Sequence, residues 1–163
     1  MKNEDAWLDQ SPTTVLLVDQ VWSDPDLVLP VLANLYDRIP EYQELDQYGN
    51  FADFDEAFPS SAGDYGRVKN QTYGYGNWSY WDYGYIRDIN LFIEQARQAD
   101  KLDTTDQHRF LAEAQFLRAN VYFELVKRMG GVPLILDTMK YNFSGDASYL
   151  QHPRAKESEV YDF

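Results

Sequence analysis

A single long amphipathic segment sets the terms for the whole chain. Apolar residues at Phe110, Ala114, Leu117, Val121 and Leu125 recur at helical spacing, while Ala119, Phe123 and Val126 form a second stripe beside them. A helix apolar over so much of its girth predicts neighbours on two flanks, which suits stacked helices better than one helix lying on a sheet. Its limits are legible too. Thr104 with Gln107 reads as a capping box, and Gly130-Gly131-Val132-Pro133 supplies a left-handed stop followed by a residue that bars continuation.

Upstream, Tyr85, Ile89, Phe92 and Ala96 share one helical face, with Ile86 and Ile93 beside them. This predicts a helix over about 79–99. The short polar turn 100–105 then folds it back on the helix of 106–129 as an antiparallel hairpin. Asp24-Pro25 offers a cap and a first-turn proline for a further helix ending near Asp37, carrying Leu27, Val28, Val31, Leu32, Leu35 and Tyr36. Pro30 must kink that helix or mark its true start. The β-branched run Thr13-Thr14-Val15-Leu16-Leu17-Val18 has no clear period, so residues 1–23 read as an irregular arm. Val132-Pro133-Leu134-Ile135-Leu136 reads as extended. Ser158 reads as the cap of a last, short helix.

Between Pro40 and Asn77 no period survives, and glycine, serine, tyrosine and acids dominate; 40–77 is a long loop of the kind that carries function. Aromatics make up 16% of the chain and crowd into Tyr73-Gly74-Tyr75-Gly76-Asn77-Trp78-Ser79-Tyr80-Trp81-Asp82-Tyr83-Gly84-Tyr85. Flat apolar faces beside amides and carboxylates suit sugars, whose C–H faces pack on rings while their hydroxyls find polar partners. Tyr73, Tyr75, Asn77 and Trp78 are therefore the candidate ligand-binding residues. Trp81 and Tyr85, on the helix face, are assigned to the core.

Composition removes other chemistries. With no cysteine, disulfides, thiolate catalysis and cysteine-based zinc sites are absent. A net charge of −13 disfavours nucleic acid and anionic membrane surfaces as partners. Asp46, Asp53, Asp55, Glu56 and Asp64 lack the spacing of a calcium loop and read as solvated charge, so no metal and no cofactor are expected. His108 and His152 have no partner at ligand or triad spacing. Glu113 and Arg118, on a mostly apolar helix, are expected to make buried hydrogen bonds, because buried charge must be paired. No catalytic residue is assigned.

The string Ala112-Glu113-Ala114-Gln115-Phe116-Leu117-Arg118-Ala119, with Tyr85-Ile86-Arg87-Asp88-Ile89-Asn90 before it and Gly130-Gly131-Val132-Pro133, Pro153-Arg154 and Ser158-Glu159-Val160-Tyr161 after it, resembles the N-terminal part of the SusD/RagB family. The likeness runs from about Trp7 to Phe163 and departs at Ile89, where the family usually carries a small residue. It implies an all-α fold of tetratricopeptide-like helical hairpins with long irregular loops, the truncated N-terminal part of a larger α fold, with 24–163 as one helical unit. It also implies a non-enzymatic, lipid-anchored protein on the extracellular face of the outer membrane. Such a protein captures oligosaccharide for a SusC-like, TonB-dependent outer-membrane transporter. Trp7-Leu8-Asp9-Gln10-Ser11-Pro12 matches the segment that follows the family's lipid-modified cysteine, so this sequence is expected to start just downstream of the anchor. Two other classes stay open: a polysaccharide hydrolase or lyase using carboxylates of 40–77, and a scaffold that captures peptide or only binds protein.

Overall fold

The computed structural model describes residues 18–39, 81–140, 142–143 and 145–163. Five helices follow one another among these: α1 (Val18–Val21), α2 (Pro25–Tyr36), α3 (Tyr83–Gln98), α4 (Thr104–Met129) and α5 (Glu157–Asp162). The described residues contain no strand, and the expected all-α architecture is what is found. The end of the expected arm, Val18–Val21, is a helical turn. Residues 1–17 lie outside the described part, as does the loop 40–77 with its acids Asp46, Asp53, Asp55, Glu56 and Asp64.

The hairpin of α3 and α4 is the frame. Asn90 meets Arg118 in its middle, and Gln107 reaches Ala96 at its closed end, so the two helices run antiparallel. The cap of α4 is Asp103, whose carboxylate accepts from Thr105 N at 2.8 Å. Thr104 is already helical, and Gln107, expected in a capping box, instead donates through Nε2 to the Ala96 carbonyl at 2.9 Å. The side chain thus adds a second, shorter donor to a last-turn carbonyl of α3 that otherwise accepts only from Ala99 N at 3.4 Å, and fastens the turn.

Phe110, Ala114, Leu117, Val121 and Leu125 are all buried, as their spacing predicts, against Ile86, Ile89, Phe92, Ile93 and Ala96. Ile89 is fully buried, so the large residue fits there. The second stripe behaves differently. Val126 is buried, but Phe123 is 50% exposed and Ala119 is exposed. On that flank α4 meets the start of α5, where Val160 is buried and Tyr161 lies edge-on to Phe123 at 6.5 Å between centroids, so among the described residues the second stripe is covered only at its C-terminal end.

Helix α2 begins as expected, with the Asp24 carboxylate accepting from Asp26 N at 3.0 Å and Pro25 in the first position. It continues through Pro30, which lies on the exposed side, where a carbonyl left without its helical donor reaches water. Val28, Leu32 and Leu35 enter the core; Val31 and Tyr36 remain exposed.

The stop of α4 is a junction. Gly130 takes φ 68°, a left-handed value that suits glycine, and its N–H returns to Val126 O at 2.9 Å. Gly131 is needed for space: a Cβ there would stand 2.1 Å from the Ala155 carbonyl oxygen. Arg154 donates to Gly131 O at 2.7 Å and Met129 O at 2.9 Å, capping the carbonyls that α4 leaves open. Ala155 N then bonds Val132 O at 3.0 Å and the chain enters α5. The cap of α5 is Lys156 rather than Ser158, with the Glu159 carboxylate accepting from the Lys156 N–H at 2.8 Å.

Candidate functional site

Where α3 begins, three side chains fix the backbone and turn one outward. Asp82, the N-cap, accepts from Tyr85 N at 2.8 Å. Arg38, just past α2, reaches Asp82 at 2.9 Å and Asp88 at 2.7 Å, with its guanidinium 4.5 Å from the Tyr85 ring centroid. Tyr85 is fully buried and donates its hydroxyl to the Leu35 carbonyl, as a core residue should.

Trp81 does not follow it into the core. Its side chain is 41% exposed. The sequence reading began the helix near Ser79, which puts Trp81 on the buried face; the helix in fact begins at Tyr83, and Trp81 precedes the cap. Asp82 ahead of Tyr83-Gly84-Tyr85 was the signal that could have shown this. Trp81 lies against Tyr83 in a near-parallel stack, with centroids 6.2 Å apart and an interplanar angle of 19°. The Arg154 guanidinium stands 5.5 Å from the Trp81 ring centroid. Tyr83 is anchored through its hydroxyl, which donates to Pro133 O at 2.8 Å; burial pushes that hydroxyl's pKa up and keeps it neutral. The result is a ledge of two aromatics and one cation, built from α3, the Gly130–Pro133 stop and the Pro153-Arg154 pair. Such a ledge offers apolar ring surface beside hydrogen-bond donors.

The candidate residues Tyr73, Tyr75, Asn77 and Trp78 lie outside the described residues, and they precede Trp81 by three to eight positions. Trp81, Tyr83 and Arg154 are additions that sequence reasoning missed.

Behind the ledge, the segment 132–138 is tied down by a polar cluster. Arg118, 8% exposed, donates through Nη1 to Asn90 Oδ1 and to Leu136 O, both at 2.9 Å. Asn90 Nδ2 donates to Ile135 O at 2.8 Å. The Tyr122 hydroxyl accepts from Ile135 N at 2.7 Å and donates to Ile135 O at 3.1 Å. Burial lowers the pKa of Arg118 and raises that of Tyr122. The expected buried bonding of Arg118 is thus found. Glu113 is different: it is half-buried and accepts from the exposed Tyr36 hydroxyl at 3.1 Å.

Two concavities lie elsewhere on the described surface. A polar groove of about 350 Å³ is lined by Asn90, Glu94, Arg97, Leu136, Asp137 and Thr138. Its Glu94 accepts from Thr138 and pairs with Lys140 at 3.4 Å. The Thr138 hydroxyl, helped by Lys140, holds the Glu94 carboxyl below its usual range. That is the opposite of what a general acid for glycoside cleavage requires. An apolar groove of about 360 Å³ runs between α1, α2 and α3 past Trp22, Val31, Leu91 and Phe92. Neither combines an exposed ring face with a cation as the ledge does. No helix among the described residues is long and apolar enough to cross a membrane.

Comparison with known proteins agrees with this picture. Residues 6–162 match a SusD-like family described as starch-binding and associating with the outer membrane. The crystal structure of a SusD-like protein from Bacteroides fragilis aligns over 94% of this chain with a TM-score of 0.55 and 24% identity, which supports the fold. The chain spans 30% of the length of that protein. No curated protein matches it. A match running from Ala6 to Asp162, over a helical hairpin closed by the Gly130-Gly131 stop, means that this chain belongs to the SusD-like family.

Proposed function

We propose that this chain is the N-terminal helical portion of a lipid-anchored protein of the cell surface. In this reading it captures oligosaccharide without cleaving it and hands it to a TonB-dependent transporter of the outer membrane. The observation that carries the reading is the family match over residues 6–162, whose description names starch binding and the outer membrane. The Trp81–Tyr83 ledge supports it from the physical side: ring faces bury the C–H groups of a sugar and Arg154 offers a cation beside them. Tyr73, Tyr75, Asn77 and Trp78 are proposed as the contacts contributed by the chain just before this ledge.

The experiment is incubation with a panel of starch-derived and other oligosaccharides, with chromatography of the sugars beside a binding titration. Binding with the sugar recovered intact is the expected result. Shortened products would favour a hydrolase or lyase, and an absence of sugar binding would favour a scaffold or a peptide ligand; either overturns the reading.

A further inference from the structure

One face of α3 carries the ledge at one end and the polar groove at the other. Tyr83, Arg87, Asn90, Glu94 and Arg97 follow one another at intervals of four, three, four and three residues, which places them in one strip along the helix. The segment 133–138 runs beside the same strip. Pro133 O accepts from Tyr83, Ile135 O accepts from Asn90, and the Thr138 hydroxyl donates to Glu94. From Tyr83 to Glu94 the helix rises about 16 Å, at about 1.5 Å per residue. Between the two ends lie the exposed Arg87 and the half-buried Leu134 and Leu136.

The groove, of about 350 Å³, has the size of a small ligand cleft. Arg97 and Asp137 both line it and both are exposed. Among the described residues neither side chain makes a hydrogen bond or an ion pair; only their backbone carbonyls accept, from Gln107 and Asn90. Glu94, by contrast, is already engaged by Thr138 and Lys140. Lys140 offsets Glu94, and Arg97 offsets Asp137, so the lining has no surplus of charge with which to select an ion. What it offers is a free donor and a free acceptor beside the apolar edge of Leu136. A sugar hydroxyl suits that combination, because it donates to a carboxylate while accepting from a guanidinium, and the ring's C–H groups pack on the leucine.

We propose, building on the capture reading, that the groove beside Arg97 and Asp137 is a second sugar subsite. The ligand is then a neutral oligosaccharide long enough to rest one unit on the Trp81–Tyr83 ledge while another enters the groove. A mono- or disaccharide reaches one end only.

Calorimetric titration of the protein with linear starch-derived glucose oligomers, from two to seven units, tests this. Affinity should rise steeply once the chain spans both ends. Arg97→Ala and Asp137→Ala should each weaken the seven-unit sugar about tenfold, the order of one lost hydrogen bond to a charged group, and leave the two-unit sugar unchanged. Because both side chains are exposed and unpaired among the described residues, the melts should match the parent's. In nuclear magnetic resonance spectra the amides of Gln98 and Thr138 should shift with the seven-unit sugar and not with the two-unit one. Affinity indifferent to length, equal losses for short and long sugars, or variants that bind the seven-unit sugar as the parent does would each overturn the subsite and leave capture at the ledge standing. Absence of binding at every length would remove capture itself, and the subsite with it.

Discussion

Arg118 and Asn90 face each other across the α3–α4 hairpin, with Nη1 donating to Oδ1 at 2.9 Å in a place where both residues are buried. The pair holds more than itself. Asn90 turns its amide to Ile135 and Arg118 bonds Leu136, so two side chains on two helices align the segment that follows the Gly130-Gly131 stop. Among the described residues no carboxylate forms an ion pair with Arg118, the Asp137 charge acting on it only from a distance, and its Nε is buried without a hydrogen-bond partner. Its hydrogen bonds all go to neutral dipoles, which makes the loss of any of them expensive.

Asn90→Ala should therefore destabilise the chain by about 2–4 kcal/mol, the order expected when a buried charge loses a partner. Arg118→Lys should not be benign, because an ammonium cannot span Asn90 and Leu136 with the planar fork that does so here. Urea titrations followed by circular dichroism measure both. Parental stability in either variant would show that the cluster contributes little.

The two apolar stripes of α4 should respond unequally. Leu117 is fully buried, and Leu117→Ala should cost about 2–5 kcal/mol. Phe123, half exposed, should cost less than about 1 kcal/mol on truncation of the monomer. Thermal melts of the two variants beside the parent check this. Equal losses would mean that Phe123 is covered in the monomer.

Gly131→Ala should release the C-terminal part of the described fold, since its Cβ would fall 2.1 Å from the Ala155 carbonyl. About 1–3 kcal/mol of strain is expected, relieved by Ala155 and α5 moving away. Amide exchange should rise at Val160 and at Ala155, whose N–H bonds Val132 O. Unchanged exchange would place the close approach elsewhere.

Glu94 gives a pH dependence with a definite sign. The hydrogen bond from Thr138 and the charge of Lys140 hold its pKa below the reference value of 4.5. Its contribution is therefore complete above that value and is lost as pH falls through the lower, folded one. The chain should lose thermal stability as pH drops below about 4.5, and Glu94→Gln should flatten part of that slope without altering the neutral-pH slope. A steeper acid slope in the variant would refute the assignment.

How far the sequence foretold this molecule depends on the element. Period and punctuation gave the hairpin, the buried face of α4 and the left-handed Gly130, because those rest on local rules. Caps slipped by one to three residues, from Thr104 to Asp103, from Ser158 to Lys156 and from the region of Ser79 to Asp82. Several acids and hydroxyls compete for each cap, and only packing decides among them. The last slip moved Trp81 from the core to the surface. The reach of Arg154 to Gly131 across 23 positions could not be read from spacing, and neither could the exposure of Phe116 and Phe123, since periodicity marks an apolar face without naming what covers it.

The central claim is capture of oligosaccharide without chemistry, and one titration addresses it most directly. Calorimetry with the sugar that binds best in the panel should give saturable binding to the parent protein, with the sugar recovered intact. Trp78→Ala and Trp81→Ala should each weaken it by about 1–3 kcal/mol, the scale of one well-placed aromatic contact, while leaving the melt unchanged. Saturable binding that neither substitution weakens would remove the aromatic run from the account, and heat with turnover of the sugar would contradict capture itself.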